Sequence, residues 1–119
     1  MAWDIRADRP VYLQLVEHLQ TAVVTGEYPP GSRIPPVREL AGQAGVNPNT
    51  MQRALAELEA RGLLETQRTA GRTVTGDVEK IAQTRRALAQ TLVHHFYHQA
   101  AALGLTKAEI AALLEQEEA

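Results

Sequence analysis

The sequence predicts a mainly α-helical chain with one small β-hairpin. Apolar residues recur at helical spacing through five separate segments, and glycine or proline stands at most of the segment ends. Only between residues 63 and 75 do short strand-like runs replace that spacing.

The first helix is expected over residues 10–25. Pro10 suits its start, Leu15, Val16, Leu19 and Val23 share one face, and Gly26 stops it. The loop EYPPGSRIPP follows from Glu27 to Pro36, where Pro29, Pro30 and Gly31 in a row are expected to allow no regular element. Pro36 is placed as the first residue of a short helix with Val37, Leu40, Ala41 and Ala44 on its inner face. Gly45 ends that helix, and Asn47-Pro48 restarts the chain with a capping side chain followed by a residue whose φ already suits a helix. Met51, Ala54, Leu55 and Leu58 line the inside of this third helix, which ends at Gly62. Its outer face shows Asn49, Thr50, Gln52, Arg53 and Glu57. Two short helices joined by a tight glycine-containing turn form a helix-turn-helix.

Leu63–Gln67 and Arg72–Thr75 are expected to pair as strands around the turn at residues 68–71. A hairpin directly after a helix-turn-helix is a wing, so residues 1–76 are assigned to an N-terminal winged helix-turn-helix domain. Residues 77–119 form a helical tail. Its long first helix carries Val78, Ile81, Leu88, Leu92, Phe96 and Leu103, and Gly104 ends it. In the last helix Thr106 and Glu109 make a capping box, Leu105 staples to Ile110, and Leu113 and Leu114 continue the inner face.

Of 119 residues, 19 are alanine and 34 are larger hydrophobics, enough for one modest core. The absence of cysteine excludes disulfide scaffolds and thiolate metal sites. No apolar run approaches a membrane span, and MAWDIRADRP lacks the basic region and apolar core of a secretory signal, so a cytoplasmic location is expected. The net charge of −2 is not that of a globally basic nucleic-acid binder. Between Gly31 and Gly76, however, every basic residue is arginine, which concentrates bidentate donors in the helix-turn-helix and wing.

The stretch from Pro10 to Val74 resembles the GntR family of bacterial winged-helix transcription regulators, more narrowly its short YtrA-like branch. The resemblance lies in PVYLQLVEHLQ, GEYPPGSRIPPVRELA and GVNPNTMQRALAELEARGLLET, in family order and spacing. It implies double-stranded operator DNA as partner and a homodimer built by the two tail helices. Residue by residue, it implies that Arg38 contacts the DNA backbone, that Asn47, Asn49, Thr50, Gln52 and Arg53 face the major groove, and that Gly71 belongs to the wing tip. The wing departs from the family pattern: Arg68-Thr69-Ala70-Gly71-Arg72 lacks the first glycine and the lysine, leaving Arg68 and Arg72 as candidate phosphate binders.

Physical chemistry supports those assignments. Asparagine and glutamine can bond adenine twice and arginine can bond guanine twice, and the first turns of the second helix are where such motifs meet base edges. One monomer offers one reading helix and little positive charge, so a two-fold dimer on an inverted repeat is expected, with recognition helix 48–61 and the wing in contact. Ile81, Leu88, Leu92, Phe96, Leu103, Ile110 and Leu113 are assigned to dimerisation, because so short a tail cannot bury that stripe by itself.

The competing reading is a winged-helix protein-interaction module without DNA binding. The polar, arginine-bearing face of the recognition helix speaks against it. No phosphate loop, catalytic triad order or metal box is present, so no enzyme, catalytic residue or cofactor is expected. His94 and His98 stand at i, i+4 and share a helix face, but nothing in the sequence supplies a third metal ligand. They are read with His95 as a solvated or interface cluster, and no metal is assigned. Trp3, Tyr12 and Tyr28 are read as packing residues. A tail of two helices leaves little room for an enclosed effector pocket, so a small-molecule effector is placed, if anywhere, at the dimer interface or between tail and winged helix.

Overall fold

The computed structural model describes residues 3–118. In order, the elements are α1 (Val11–Val24), α2 (Val37–Ala44), α3 (Pro48–Ala60), β1 (Leu64–Gln67), β2 (Gly71–Val74), α4 (Val78–Ala102) and α5 (Lys107–Glu115). Two compact units divide between Arg85 and Arg86, so the first turns of α4 belong to the first unit and the remainder to the second.

The first unit is built on one apolar cluster. Leu15 and Leu19 of α1, Leu40 of α2, and Met51, Leu55 and Leu58 of α3 are all fully buried, with Leu63, Leu64 and Val74 closing the cluster from the hairpin. These are the residues whose helical spacing marks them as inward. Each buried leucine contributes roughly 1.5–3 kcal/mol of transfer free energy. Trp3, Tyr12 and Tyr28 pack against the cluster, as expected. Gln14 is a buried polar residue that periodicity does not explain. Its side chain accepts from the Arg6 N–H at 2.7 Å and donates to the carbonyls of Arg6 and Arg9, which fastens the N-terminal segment to α1.

The turn of the helix-turn-helix follows from Gly45, whose φ of +70° suits a residue without Cβ. The next N–H, that of Val46, reaches back to the Ala41 carbonyl at 3.0 Å and closes the end of α2. Asn47 then caps α3 by accepting the Asn49 N–H at 2.7 Å, and Pro48 begins the helix. Pro10 and Pro36 differ slightly from expectation: each is the capping residue, and the helix starts one residue later.

β1 and β2 pair antiparallel with Leu64 opposite Val74 and Gln67 opposite Gly71. The proline-rich loop is not wholly irregular, contrary to the sequence expectation. Val74 donates to the Ser32 carbonyl at 2.8 Å, Ile34 donates to the Arg72 carbonyl at 3.0 Å, and Arg33 bridges Thr73. Between the breakers at 29–31 and 35–36, three residues run extended along the free edge of β2. The alternation of a strand then turns Ile34 into the core and Arg33 outward.

In the second unit, Ala100 and Ile110 are the buried hydrophobics among the described residues. The capping box at Thr106 and Glu109 is complete, with both reciprocal hydrogen bonds present. Among the described residues, no helix is long and apolar enough to cross a membrane.

Candidate nucleic-acid interface

The four buried residues of α3 fix which face is free. Met51, Ala54, Leu55 and Leu58 are turned fully inward, so Asn49, Gln52 and Arg53 stand exposed and Thr50 half-buried at the N-terminal end of the helix. That end carries the positive pole of the helix dipole, which favours a phosphate nearby.

Internal partners constrain several of these side chains. The Arg53 guanidinium lies 3.7 Å from the centre of the Tyr12 ring, a cation–π contact between α3 and α1. Asn47 uses its side-chain oxygen on the cap, which leaves its amide N–H groups to make other bonds. Gln52 accepts from the Arg72 guanidinium at 3.3 Å.

Arg72 is the residue whose surroundings differ most from the sequence expectation. Its Nε lies 2.5 Å from Oε1 of Glu59, which also accepts the Thr66 hydroxyl at 2.6 Å. The guanidinium is therefore engaged within the chain and ties the wing to α3. Glu59 has its pKa held below the ordinary carboxylate value, mainly by the Thr66 hydrogen bond and further by Arg72, against an opposing effect of burial. Arg68 stays exposed at the hairpin turn, and Arg38 is exposed in the first turn of α2. Gly71 has φ of +74°, and a Cβ there would lie 3.7 Å from Arg33 Nε, so Arg33 flanks the wing. Sequence reasoning missed the roles of Tyr12, Glu59, Thr66 and Arg33. Thr66 and Arg72 are register partners across the hairpin, but nothing in the linear pattern brings Glu59 to them.

The tail residues assigned to dimerisation separate into two groups. Leu92, Phe96, Leu103 and Leu113 are exposed, with Leu103 at 82%, and Leu88 is half-buried. Ile81 and Ile110 are buried instead. The α4 periodicity places Ile81 on the dimer stripe, but it closes the core of the first unit, and Ile110 is buried within the tail. Two open grooves of about 470 and 620 Å³ flank α5. His94, His95 and His98 are exposed, and among the described residues no group of three or more histidines, cysteines or carboxylates is placed to hold a metal.

Residues 11–74 match the family model of the bacterial regulatory proteins of the gntR family. The chain belongs to the GntR family. It is a DNA-binding transcriptional regulator by that membership, and not an enzyme. The family's HTH-type regulator YhcF of Bacillus subtilis is 36% identical over 90% of this chain and 88% of its own length. The B. subtilis HTH-type transcriptional repressor YtrA is 31% identical over 79% of this chain and 77% of its own. A GntR family regulator of Listeria monocytogenes has a solved structure that superposes with a TM-score of 0.91 at 37% identity, covering 96% of this chain and all of that one.

Proposed function

We propose that the chain is a homodimeric repressor that binds an inverted-repeat operator through α3 and the wing. The observation that carries this reading is the division of α3 into a fully buried apolar face and an exposed face of Asn49, Gln52 and Arg53. Base reading falls to Asn49, Thr50, Gln52 and Arg53, and backbone anchoring to Arg38, Asn47 and Arg68. Gly71 lets the wing turn tightly, and Arg72 acts chiefly by holding the wing against α3. Residues 1–76 carry DNA binding and residues 77–119 dimerisation, with Leu88, Leu92, Phe96, Leu103 and Leu113 supplying the paired surface. Repression follows from occupying a promoter, and the likeness to the repressor YtrA supports that direction. A regulator that acts on chromosomal DNA operates in the cytoplasm. A small-molecule effector, where one acts, binds at the dimer interface and alters the spacing of the two reading helices.

Fluorescence anisotropy on DNA from immediately upstream of the encoding gene tests this, with a scrambled duplex as control and two salt concentrations. Tight binding to the upstream duplex alone, at two chains per site, is expected, and the salt slope counts the phosphates neutralised. Equal and weak binding to both duplexes would refute the operator reading.

A further inference from the structure

Three histidines fall within five residues of α4, and the operator-binding reading gives them no role. The structure gives the ring geometry that spacing alone does not. The His94 and His98 rings are brought together, their centres 4.3 Å apart and their planes inclined at 65°. His95 is 6.1 Å from His94, ring centre to ring centre, and leaves the helix in a different direction. The Tyr97 ring packs edge-on against His98 at 5.4 Å. Both members of the close pair are exposed and need no unfolding to receive an ion.

We propose that His94 and His98 form a two-imidazole chelate for a divalent transition ion. A zinc ion bound to two imidazole nitrogens at about 2.0–2.1 Å holds the ring centres about 5 Å apart, so binding requires the rings to separate by less than about 1 Å. That adjustment lies within side-chain rotation on successive turns of one helix. The donor set selects the metal. Two neutral imidazoles without a carboxylate suit copper, nickel or zinc and exclude magnesium and calcium, which require oxygen ligands. Arg86 and Lys107 border the same groove as His94, so the site gains nothing from the local field and depends on coordinate bonds. The chain supplies two ligands, in keeping with the absence of any three-residue cluster among the described residues, and water completes the shell. Ion binding clips two turns of α4 together and favours the folded helix over the unfolded chain.

Calorimetric titration of the tag-free, full-length protein with nickel chloride, then with zinc chloride and magnesium chloride, tests the proposal. One nickel or zinc ion per chain is expected, with no heat from magnesium. Either His94→Ala or His98→Ala removes the chelate and weakens binding by roughly a hundredfold, whereas His95→Ala changes it less than about twofold. The positions are exposed, so thermal unfolding of each metal-free variant should match the parent. A loss of affinity in His95→Ala equal to that in His94→Ala would overturn the assignment. So would no binding up to millimolar nickel, or one ion for every two chains.

Discussion

Glu59, in the last turn of α3, and Arg72, in the second strand of the wing, meet at 2.5 Å and share a hydrogen-bond network with Thr66 and Gln52. The pair adds a polar tie to the buried Leu64 and Val74 and the Ser32–Ile34 pairing, which together hold a two-stranded hairpin, marginal by itself, beside the recognition helix. Both partners are less than one-third exposed, so solvent screens the pair less than it does an ordinary surface ion pair.

This pair predicts a pH-dependent contribution to stability. Glu59 has a lowered pKa in the folded state, so its carboxylate stabilises the fold above the ordinary glutamate value of about 4.3 and loses that effect as pH falls through the folded value. Glu59→Gln removes the charge while keeping most of the shape. Urea unfolding should show the parent more stable than the variant at pH 7 by roughly 1 kcal/mol, with the difference shrinking below about pH 4.3. A difference that stays constant down to pH 3 would mean that the carboxylate charge is not what holds the wing.

Tyr12 and Arg53 predict a positioning effect on operator binding. The guanidinium 3.7 Å above the ring is restricted before DNA arrives, so less side-chain entropy is lost on binding. Arg53→Ala should weaken binding by roughly 1–3 kcal/mol. Tyr12→Leu keeps an apolar side chain against the core but removes the ring face, and should cost roughly 0.5–1 kcal/mol in affinity. Tyr12→Phe should cost almost nothing. In an anisotropy double-mutant cycle, Tyr12→Leu added to Arg53→Ala should have no further effect. Independent, additive losses would show that Tyr12 does not act through Arg53.

The elements of the fold were legible because their signals are local. The Asn47-Pro48 start, the Gly45 turn, the Thr106–Glu109 capping box and the inner faces of α1 and α3 are all written within a few residues. What was not legible depends on the chain folding back on itself. The third extended segment at Ser32–Ile34 exists because the edge of β2 arrives from forty residues later. Ile81 belongs to the first core because α4 begins against it, although periodicity groups it with Leu88 and Leu92. The polar face of α3 could be read from spacing alone. That Arg72 faces Glu59 and Arg53 faces Tyr12 could not, because neither pair shares an element.

The capping box makes the tail the subject of a third prediction. The Thr106 hydroxyl accepts the Glu109 N–H at 3.2 Å, which satisfies one of the N–H groups left without a partner at the start of α5. Thr106→Ala should destabilise the second unit by about 1 kcal/mol. Backbone amide exchange should rise over residues 107–110 and stay unchanged in α1–α3. Uniform exchange across the whole chain would show instead that both units unfold together.

Ile81 and Leu92 lie eleven residues apart on α4 and predict opposite phenotypes, although the sequence assigns them one role. Ile81 is 9% exposed and belongs to the core of the first unit, whereas Leu92 is 71% exposed. Ile81→Ala leaves a cavity in the core of the first unit and should lower unfolding free energy by roughly 2–5 kcal/mol. Leu92→Glu removes no buried contact in the single chain, so its metal-free, dilute monomer should unfold at the parent temperature. If the exposed stripe of Leu92, Phe96 and Leu103 forms the two-fold contact, a charge at Leu92 is buried without a partner in the dimer. Sedimentation velocity should then show the dimer dissociating at concentrations where the parent and Ile81→Ala remain paired. Loss of the dimer in Ile81→Ala with retention in Leu92→Glu would place the contact elsewhere, on a surface that includes the winged helix.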